Sequence, residues 1–442
     1  MFWIENDEEN EMMNRIIHGL VYWVVGIGLM IGSVGCSSSP SFQTHADRLS
    51  ISPVGGESVE LPAEFDGYKV VLDVMLNGTG PHRMILDTGS AVSQVPPEVA
   101  KAAGIEASGH VRTLDAHGNL NKEPIGLVSS VEIGGLVGHG VPFTIDRLPE
   151  RIAEGPKIIG IIGYNMFRNH TLTLDYPNEQ VFVSHARLDT DSIGTVPMWL
   201  ENGRVPFIDG GMVIPGSKGT LPCDMLIDTG SGALLNLSGM HAQVYSDLEN
   251  KVQVGVSMSS SGTVEPNEYA RLIFDLGFQG IYARNLMAIV SRSTKNDSSI
   301  GGEFMRRFRV SLDPVGKHFR VELSDGRTEI DMPIWRVHGI RIALDEDDQF
   351  VVRSVVEGSP AELGGVQEGD VLLAFDGIPL TLEPFNWPGP VLDNSLGQRA
   401  YLISRDGAEQ TLVLAFQDFI PIPKMKLRLQ DTADQVPAPI QE

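Results

Sequence analysis

The sequence is poor in cysteine and in basic residues. Its 442 residues include two cysteines, Cys36 and Cys223, which leaves little scope for disulfide bonds. Lysine and arginine together number 33, against 57 aspartates and glutamates, so the formal net charge is −24. Such an acidic chain is repelled by phosphate backbones, and nucleic acid is therefore not an expected partner.

Two motifs of hydrolytic enzymes are also missing. The chain has no Gly-x-Ser-x-Gly motif, which serine hydrolases use to expose a nucleophile. None of its eleven histidines lies in a His-Glu-x-x-His motif, the spacing typical of zinc proteases. A serine or zinc hydrolase of these types therefore lacks support, and we predict neither a metal site nor a cofactor.

The sequence does contain one seven-residue motif that occurs twice. Residues 84–90 read Met-Ile-Leu-Asp-Thr-Gly-Ser, and residues 225–231 read Met-Leu-Ile-Asp-Thr-Gly-Ser. Each apolar run predicts a buried strand that leaves the core at an aspartate, Asp87 or Asp228, before a turn that glycine permits. Because the two copies lie 141 residues apart, their surroundings should be compared for a longer repeat.

The surroundings do repeat. An Ile-Gly pair followed by Leu-Asp occurs at 162–175 and again at 300–313, an offset of 138 residues. Extended segments around a Gly-rich turn precede each Asp-Thr-Gly, and a helical stretch follows it, at 97–103 and at 238–250. The middle of the chain, at about 260 of 442 residues, is therefore one β-rich unit duplicated.

The duplicated pattern resembles the aspartic proteases, and specifically the bacterial retropepsin-like family, over residues 64–323. The strand-Asp-Thr-Gly signature matches at both copies, and the later apolar-apolar-Gly signature matches at 161–163. The second copy departs from the family pattern, because Ser299 precedes Ile300 and Gly301. The resemblance implies a mainly β fold: a bilobal acid-protease pair of β-barrels with pseudo-twofold symmetry, with lobe one at 64–186 and lobe two at 187–325.

The resemblance also implies a catalytic role for each repeated residue. Asp87 and Asp228 would face one water, the ionised carboxylate acting as base and the protonated carboxyl donating to the scissile carbonyl. Two carboxyls about 3 Å apart share a proton and titrate as a pair. Thr88 and Thr229 would brace the two loops across the interface. Asp87 and Asp228 would together form the catalytic dyad. The other residues expected to support it would donate hydrogen bonds to the carboxylates, through the amides of Gly89 and Gly230 and the hydroxyls of Ser90 and Ser231.

A flap hairpin that closes over the substrate is also expected from the family. The candidate spans 111–121, with Ala116, His117, Gly118 and Asn119 as its turn. It lacks the aromatic residue of pepsin-like flaps, and His117 is interpreted as a solvated loop residue. A counterpart in the second lobe is expected at 257–265.

The N-terminal segment is predicted to target the chain to the cell envelope. Residues 1–36 contain an apolar stretch, 19–34, that is too short to span a membrane comfortably and is typical of a secretion signal. Cys36 follows Ser33-Val34-Gly35, which resembles a bacterial lipobox with serine in place of the usual leucine. We expect lipidation of Cys36 and outer-membrane anchoring facing the periplasm in a two-membrane bacterium; an ordinary cysteine near a cleavage site is the alternative. The acidic first dozen residues suggest that translation starts at Met12 or Met13.

Two further segments are predicted to lack regular structure. Residues 37–63 are Ser-rich and are interpreted as a tether, and the Pro-bearing tail 419–442 as disordered.

With Cys36 lipidated, Cys223 has no disulfide partner and is expected to be a small buried side chain.

Residues 335–418 resemble the PDZ domain of bacterial proteases. The resemblance is carried by a strand at 350–356, the Gly-Ser-Pro-Ala segment at 358–361 that begins a short helix, and Glu-Gly-Asp-Val at 368–371. Such domains bind a peptide C-terminus as an added strand. The expected binding residues are His338, Gly339, Ile340, Arg341 and Ile342. Docking of this groove on the chain's own protease is an equally open interpretation.

Two functions from different classes follow. The first is a lipid-anchored aspartic endopeptidase whose polypeptide substrate is presented or gated by the PDZ domain. The second is a catalytically inactive, membrane-tethered peptide-binding protein of the envelope, which the irregular Ser299 and the plain flap favour.

Overall fold

The structure is a computed structural model built mainly of β-strands. It describes residues 50–53, 58–115, 119–148, 158–209, 212–213, 220–221, 223–237, 252–258, 264–271, 275–284, 286–290, 298–332, 338–345, 347–382, 385–386 and 397–416. Four predicted features lie outside these residues: the signal segment expected at 1–36 with Cys36, the flap-turn residues 116–118, the helix expected at 238–250 and the tail 419–442. Within the described part, no helix has the length and apolar character needed to cross a bilayer.

The first copy of the repeat forms lobe one. Its strands are β1 Ser50–Pro53, β2 Ser58–Leu61, β3 Ala63–Asp66, β4 Lys69–Leu76, β5 Thr79–Asp87, β6 Ser93–Val95, β7 Ala107–Leu114, β8 Leu120–Ile133, β9 Leu136–Ile145, β10 Gly160–Gly163, β11 Thr171–Asp175 and β12 Gln180–Ser184. Helix α1, Pro97–Ala102, begins with a proline that suits the first helical turn, as the sequence predicts. Strands β4 and β5 form a hairpin because Asn77 and Gly78 both take the positive φ that a tight turn requires.

The second copy forms lobe two. Its strands are β13 Thr195–Glu201, β14 Val205–Asp209, β15 Met212–Val213, β16 Thr220–Leu221, β17 Asp224–Asp228, β18 Leu235–Leu237, β19 Val252–Met258, β20 Val264–Arg271, β21 Asp275–Phe278, β22 Ile281–Arg284, β23 Met287–Val290, β24 Ser298–Gly301, β25 Arg309–Asp313, β26 His318–Glu322 and β27 Glu329–Asp331. Helix α2 spans Gly302–Met305. Because β27 pairs with β22, this lobe extends past the predicted boundary at 325.

A shared sheet joins the lobes and defines their symmetry. Its strands run in the order β13-β26-β25-β11-β12-β2, and β11 pairs antiparallel with β25. Thr173 lies opposite Ser311, with 2.9 Å between their hydroxyl oxygens. These residues are 138 apart, which is the offset of the repeat, so equivalent positions face each other across a pseudo-twofold axis.

The N-terminal part of this architecture corrects one prediction. The tether expected over 37–63 is wrong for its second half, because β1 pairs with β9 and β2 pairs with β12. Strand β2 alternates between exposed and more buried residues over four positions only. A pattern this short is not distinguishable from loop sequence without its pairing partner.

The C-terminal module has its own apolar core, separate from the core that runs through both lobes. Its strands are β28 Ile340–Leu344, β29 Phe350–Val355, β30 Val371–Phe375, β31 Ile378–Pro379, β32 Thr381–Leu382, β33 Phe385–Asn386, β34 Gln398–Arg405 and β35 Ala408–Ala415. Helix α3, Pro360–Leu363, is capped by Ser359, whose hydroxyl accepts from the Glu362 amide at 3.2 Å. This is the cap that the sequence predicts.

Candidate active site

Two equivalent strand ends bring the repeated aspartates to the lobe interface. Strand β5 ends at Asp87 and pairs in parallel with β10, which places Gly163 opposite Asp87. Strand β17 ends at Asp228 and pairs in parallel with β24, which places Gly301 opposite Asp228. The two signatures that the sequence repeats, Asp-Thr-Gly and the later Gly, therefore meet in both lobes.

The two carboxyl groups lie in hydrogen-bonding contact with each other. Each also lies close above the glycine of the opposite loop. A Cβ on Gly89 would be 2.6 Å from the Asp228 Cγ, and a Cβ on Gly230 would be 2.5 Å from the Asp87 Cγ. Glycine is thus required at both positions because no side chain fits under the facing carboxyl.

Backbone amides hold each carboxyl in place. The amides of Gly89 and Ser90 donate to Asp87 Oδ1 at 2.9 and 3.1 Å. The amides of Gly230 and Ser231 donate to Asp228 Oδ1, both at 3.1 Å. Such donors stabilise the ionised form, and they leave each Oδ2 available to a shared proton or a water.

Burial and mutual repulsion set the titration of the pair. Burial raises the pKa of Asp87 above its ordinary value of 3.8, and the Gly89 amide is the largest opposing influence. Burial, followed by the negative charge of Asp87, raises the pKa of Asp228 well above 3.8. Both aspartates keep partial contact with solvent, so a water can reach them. The two carboxyls therefore titrate as a pair, and burial favours the state in which they share one proton.

The two threonines brace the loops reciprocally. The Thr88 hydroxyl donates to the Ile227 carbonyl at 2.6 Å and accepts from the Thr229 amide at 3.1 Å. The Thr229 hydroxyl donates to the Leu86 carbonyl at 2.8 Å and accepts from the Thr88 amide at 2.9 Å. Both threonines are fully buried, so these four bonds join the lobes directly behind the dyad.

The serine hydroxyls do not make the contacts expected of them. The Ser90 hydroxyl donates to the Val92 carbonyl at 2.8 Å, and the Ser231 hydroxyl accepts from the Ala233 amide and the Asn236 side chain at 3.3 and 3.4 Å. Their amides, rather than their hydroxyls, reach the carboxylates. The reason is the tight turn, which directs both backbone N–H groups at the preceding aspartate.

The irregular Ser299 is explained by its neighbour. In lobe one the equivalent residue is Ile161, which is buried and apolar. In lobe two Ser299 is buried as well, and its hydroxyl accepts from the Asn236 side chain at 2.9 Å. The serine that departs from the family signature is therefore satisfied by a partly buried hydrogen bond to Asn236, and Gly301 still lies opposite Asp228.

The predicted flap is a hairpin with an apolar edge that sequence reasoning missed. Strands β7 and β8 pair from Ala107 to Leu114, and Asn119 bonds back to Asp115 through its amide at 2.8 Å. Leu114 and Leu120 face each other beside the turn and are 71% and 63% exposed. The signal available in the sequence was the placement of one leucine on each side of the polar turn.

The second lobe carries a matching hairpin. Strands β19 and β20 pair antiparallel, with Met258 opposite Val264. The expected turn, 259–262, lies outside the described residues.

Cys223 is buried at the start of the strand that leads to Asp228. Burial raises the pKa of its thiol to about 12, so the thiol stays protonated at neutral pH. This is the environment of an inert structural cysteine.

His338, the first of the residues expected to bind peptide, lies inside the core of the C-terminal module. The His338 ring is fully buried against Phe375, Tyr401 and Phe416, and its Nδ1 contacts the Tyr401 hydroxyl. The His338 carbonyl accepts from the Ala361 amide of helix α3, and the Gly339 carbonyl accepts from the Val356 amide, just after β29.

Further along, Ile340 and Ile342 are buried and Arg341 is half-buried, while β28 pairs with β29 along one edge. Strand β19 of lobe two lies beside β28. Any ligand binding here would therefore involve the backbone of β28 rather than the His338 side chain.

Potential metal ligands do not cluster in the part of the chain that the structure describes. Among those residues, no three His, Cys, Asp or Glu side chains converge as metal ligands.

Fold and site together define an aspartyl protease-like domain joined to a PDZ domain. A family model described as "Aspartyl protease" matches residues 72–166, and one described as "PDZ domain" matches residues 351–384. The first match contains Asp87 and Gly163 but ends before lobe two, whose equivalence rests on the geometry above. No curated protein matches the sequence significantly.

Three solved structures are similar to parts of the chain. A retropepsin-like aspartic protease from Rickettsia conorii is 14% identical over 31% of this chain and 93% of its own, with a TM-score of 0.22. The HtrA3 PDZ domain bound to a phage-derived ligand is 25% identical over 19% and 85%, with a TM-score of 0.15. A PDZ domain protein from Parabacteroides distasonis is 15% identical over 19% and 20%, also with a TM-score of 0.15.

Proposed function

We propose that this protein is an endopeptidase that hydrolyses peptide bonds with a water held between Asp87 and Asp228. The observation that carries the proposal is the contact between the two carboxyls, fixed from behind by the reciprocal Thr88 and Thr229 bonds. Two acids in contact that share one proton provide a base and an acid at the same water.

The pair divides the two roles between its members. The ionised carboxylate takes the proton of the attacking water, and the protonated carboxyl donates its proton to the scissile carbonyl oxygen as the tetrahedral intermediate forms. Burial raises the pKa of both Asp87 and Asp228, which favours retention of the shared proton. The carboxyl that took the water proton then passes it to the leaving nitrogen. The other carboxylate recovers its proton from a hydroxyl of the intermediate as the C–N bond breaks, which returns the pair to its singly protonated state.

The inactive alternative loses its main support. Its two arguments are Ser299 and a flap without an aromatic residue. Ser299 accepts from Asn236, whose side chain also donates to the Ser231 hydroxyl, and the flap hairpin carries the exposed Leu114 and Leu120 beside its turn. Neither departure removes a group that the proposed mechanism uses.

The decisive experiment is peptide cleavage as a function of pH. We expect purified protein to cleave an unfolded polypeptide with a bell-shaped pH profile, because only the singly protonated pair is active. Since burial raises the pKa of both acids, the alkaline limb should lie above pH 3.8. A statine-type peptide, which mimics the tetrahedral intermediate, should inhibit the reaction. Absence of cleavage across the acidic and neutral range would reject the proposal.

We further propose that the PDZ domain binds a peptide C-terminus along β28 and thereby gates the second-lobe hairpin. The support is the position of β19, the outer strand of that hairpin, beside β28. A peptide added to β28 would compete with β19 for this edge, which links PDZ binding to the protease lobe.

This role can be tested with matched peptides. A fluorescent peptide ending in an apolar residue with a free carboxylate should bind at least about tenfold more tightly than its C-terminal amide. Its binding should also change the cleavage rate of a separate substrate. Equal affinity of the two peptides would contradict the proposal. Anchoring through Cys36 in the cell envelope stays a prediction, because that residue lies outside the described part of the chain.

A further inference from the structure

One aromatic side chain crosses from lobe one to the loop that holds Asp228. Tyr68 lies in the turn between β3 and β4, after Gly67, and is half-buried. A Cβ on Gly232 would be 2.8 Å from the Tyr68 hydroxyl oxygen, and a Cβ on Gly302 would be 2.7 Å from its Cδ2. The ring therefore occupies a slot formed by two glycines of the other lobe.

Space alone explains these two glycines. Neither has the positive φ that favours glycine, so an alanine could adopt either backbone conformation. The Tyr68 ring is what a side chain would meet there. At Gly232 the nearest atoms belong to the far end of the ring, whereas at Gly302 they include the Tyr68 Cβ and Cγ, which are less able to move.

The slot is built from the segments that position Asp228. Gly232 follows Ser231, whose amide donates to the Asp228 carboxyl at 3.1 Å. Gly302 follows Gly301, which lies opposite Asp228 in the sheet, and the Gly302 amide donates to the Ser231 carbonyl at 2.7 Å. The Tyr68 ring thus contacts the two segments that hold Asp228, one at Gly232 and the other at Gly302.

The matching positions of the first lobe are not glycines. They are Ala91 and Tyr164, although the backbone bond is the same, with the Tyr164 amide donating to the Ser90 carbonyl at 2.8 Å. The Tyr164 side chain is fully buried in its own lobe. The two lobes therefore differ at the positions that contact the Tyr68 ring, which are glycines in lobe two alone.

We propose that Tyr68 is a positioning residue for the dyad, which sets the Asp228 loop of lobe two against Asp87 by filling the slot between Gly232 and Gly302. The inference rests on the proposed peptidase function. According to this proposal, the Tyr68 ring does not touch the reacting atoms. It affects the placement of the two carboxyls relative to each other, and it limits the access of water to Asp228.

The test is a double-mutant cycle in the full-length protein. Gly232→Ala displaces the ring and Tyr68→Ala removes it, so each should lower kcat by about 10- to 100-fold with little change in KM. The double variant should be no worse than Tyr68→Ala, because the added methyl then has nothing to displace. Ala91→Gly, at the matched position of lobe one, should stay within about twofold of wild type, and Tyr68→Phe should retain most activity.

A second readout separates positioning from general stability and from the function itself. Carbon-13 labelling of the aspartate carboxyls follows the dyad titration without any substrate. In Tyr68→Ala the higher of the two apparent pKa values should fall, because water gains access to Asp228. Thermal unfolding of each variant shows whether it is folded, and Tyr68→Leu replaces Tyr68→Ala if the latter is not.

The outcomes are distinct. If wild type cleaves nothing but the titration still shifts, the peptidase proposal fails and the positioning role stands. If wild type cleaves and neither kcat nor the titration changes in folded Gly232→Ala and Tyr68 variants, the positioning proposal is overturned. Strictly additive effects of the two substitutions would also overturn it.

Discussion

Replacing either Asp87 or Asp228 with asparagine is expected to abolish peptide cleavage without unfolding the protein. General acid and general base catalysis each contribute up to about 10⁴-fold, and here one shared proton serves both. An amide can neither accept the proton of the water nor donate to the carbonyl as an acid. We therefore expect each single variant to lose roughly 10⁴-fold in kcat/KM, and the double variant to lose no more.

The Asp228→Asn substitution should also raise stability, by an amount that depends on pH. The folded-state pKa of Asp228 is raised above 3.8, so the folded chain retains a proton that the unfolded chain releases. Stability is therefore lost as pH rises from 3.8 through the folded pKa. The asparagine in Asp228→Asn cannot ionise, so this variant should melt at a higher temperature than wild type at neutral pH. Below pH 3.8 this difference should vanish.

These two readouts check each other. Loss of activity together with a higher melting temperature is the signature of a dyad whose burial costs stability. Asp73→Asn, on the exposed face of β4 in lobe one, is a matched control that should change neither quantity. If either dyad variant retained substantial activity, the shared-proton mechanism would be wrong.

The fold was predictable where the sequence repeats itself. The two Asp-Thr-Gly phrases and their later glycines indicate paired lobes, and β5, β17, β10 and β24 lie as those phrases predict. Local chemistry also indicated the Ser359 cap. These features are encoded in contiguous residues, so their meaning does not depend on distant partners.

Features that depend on distant partners or on turn geometry were missed. Strand β2 is recognisable only through its pairing with β12. The Ser90 hydroxyl donates to the Val92 carbonyl, two residues away, instead of to the carboxylate. Tyr68 has no motif of its own. Its role is visible only when Gly232 and Gly302, more than 160 residues later in the chain, are seen against its ring. Long-range packing of this kind has no periodic signal in a single sequence.

The second large effect is expected at the threonines behind the dyad. Thr88→Val keeps the shape of the side chain but removes the hydroxyl that joins the Ile227 carbonyl and the Thr229 amide. Each buried backbone group left without a partner costs about 1–3 kcal/mol, so the melting temperature should fall by several degrees. Thr229→Val should behave alike, because its hydroxyl joins the Leu86 carbonyl and the Thr88 amide.

Activity should fall further than stability alone would explain. The four bonds fix one loop against the other, and a misplacement of about 1 Å at the dyad can cost roughly 100-fold in kcat. Thr173→Val is the matched control, because Thr173 also lies buried on the pseudo-twofold axis but its hydroxyl contacts the Ser311 hydroxyl instead of the dyad loops. It should lower stability slightly and leave kcat unchanged. If Thr88→Val were as active as Thr173→Val, the bracing bonds would be structural only, and the spacing of the two carboxyls would have to be set elsewhere.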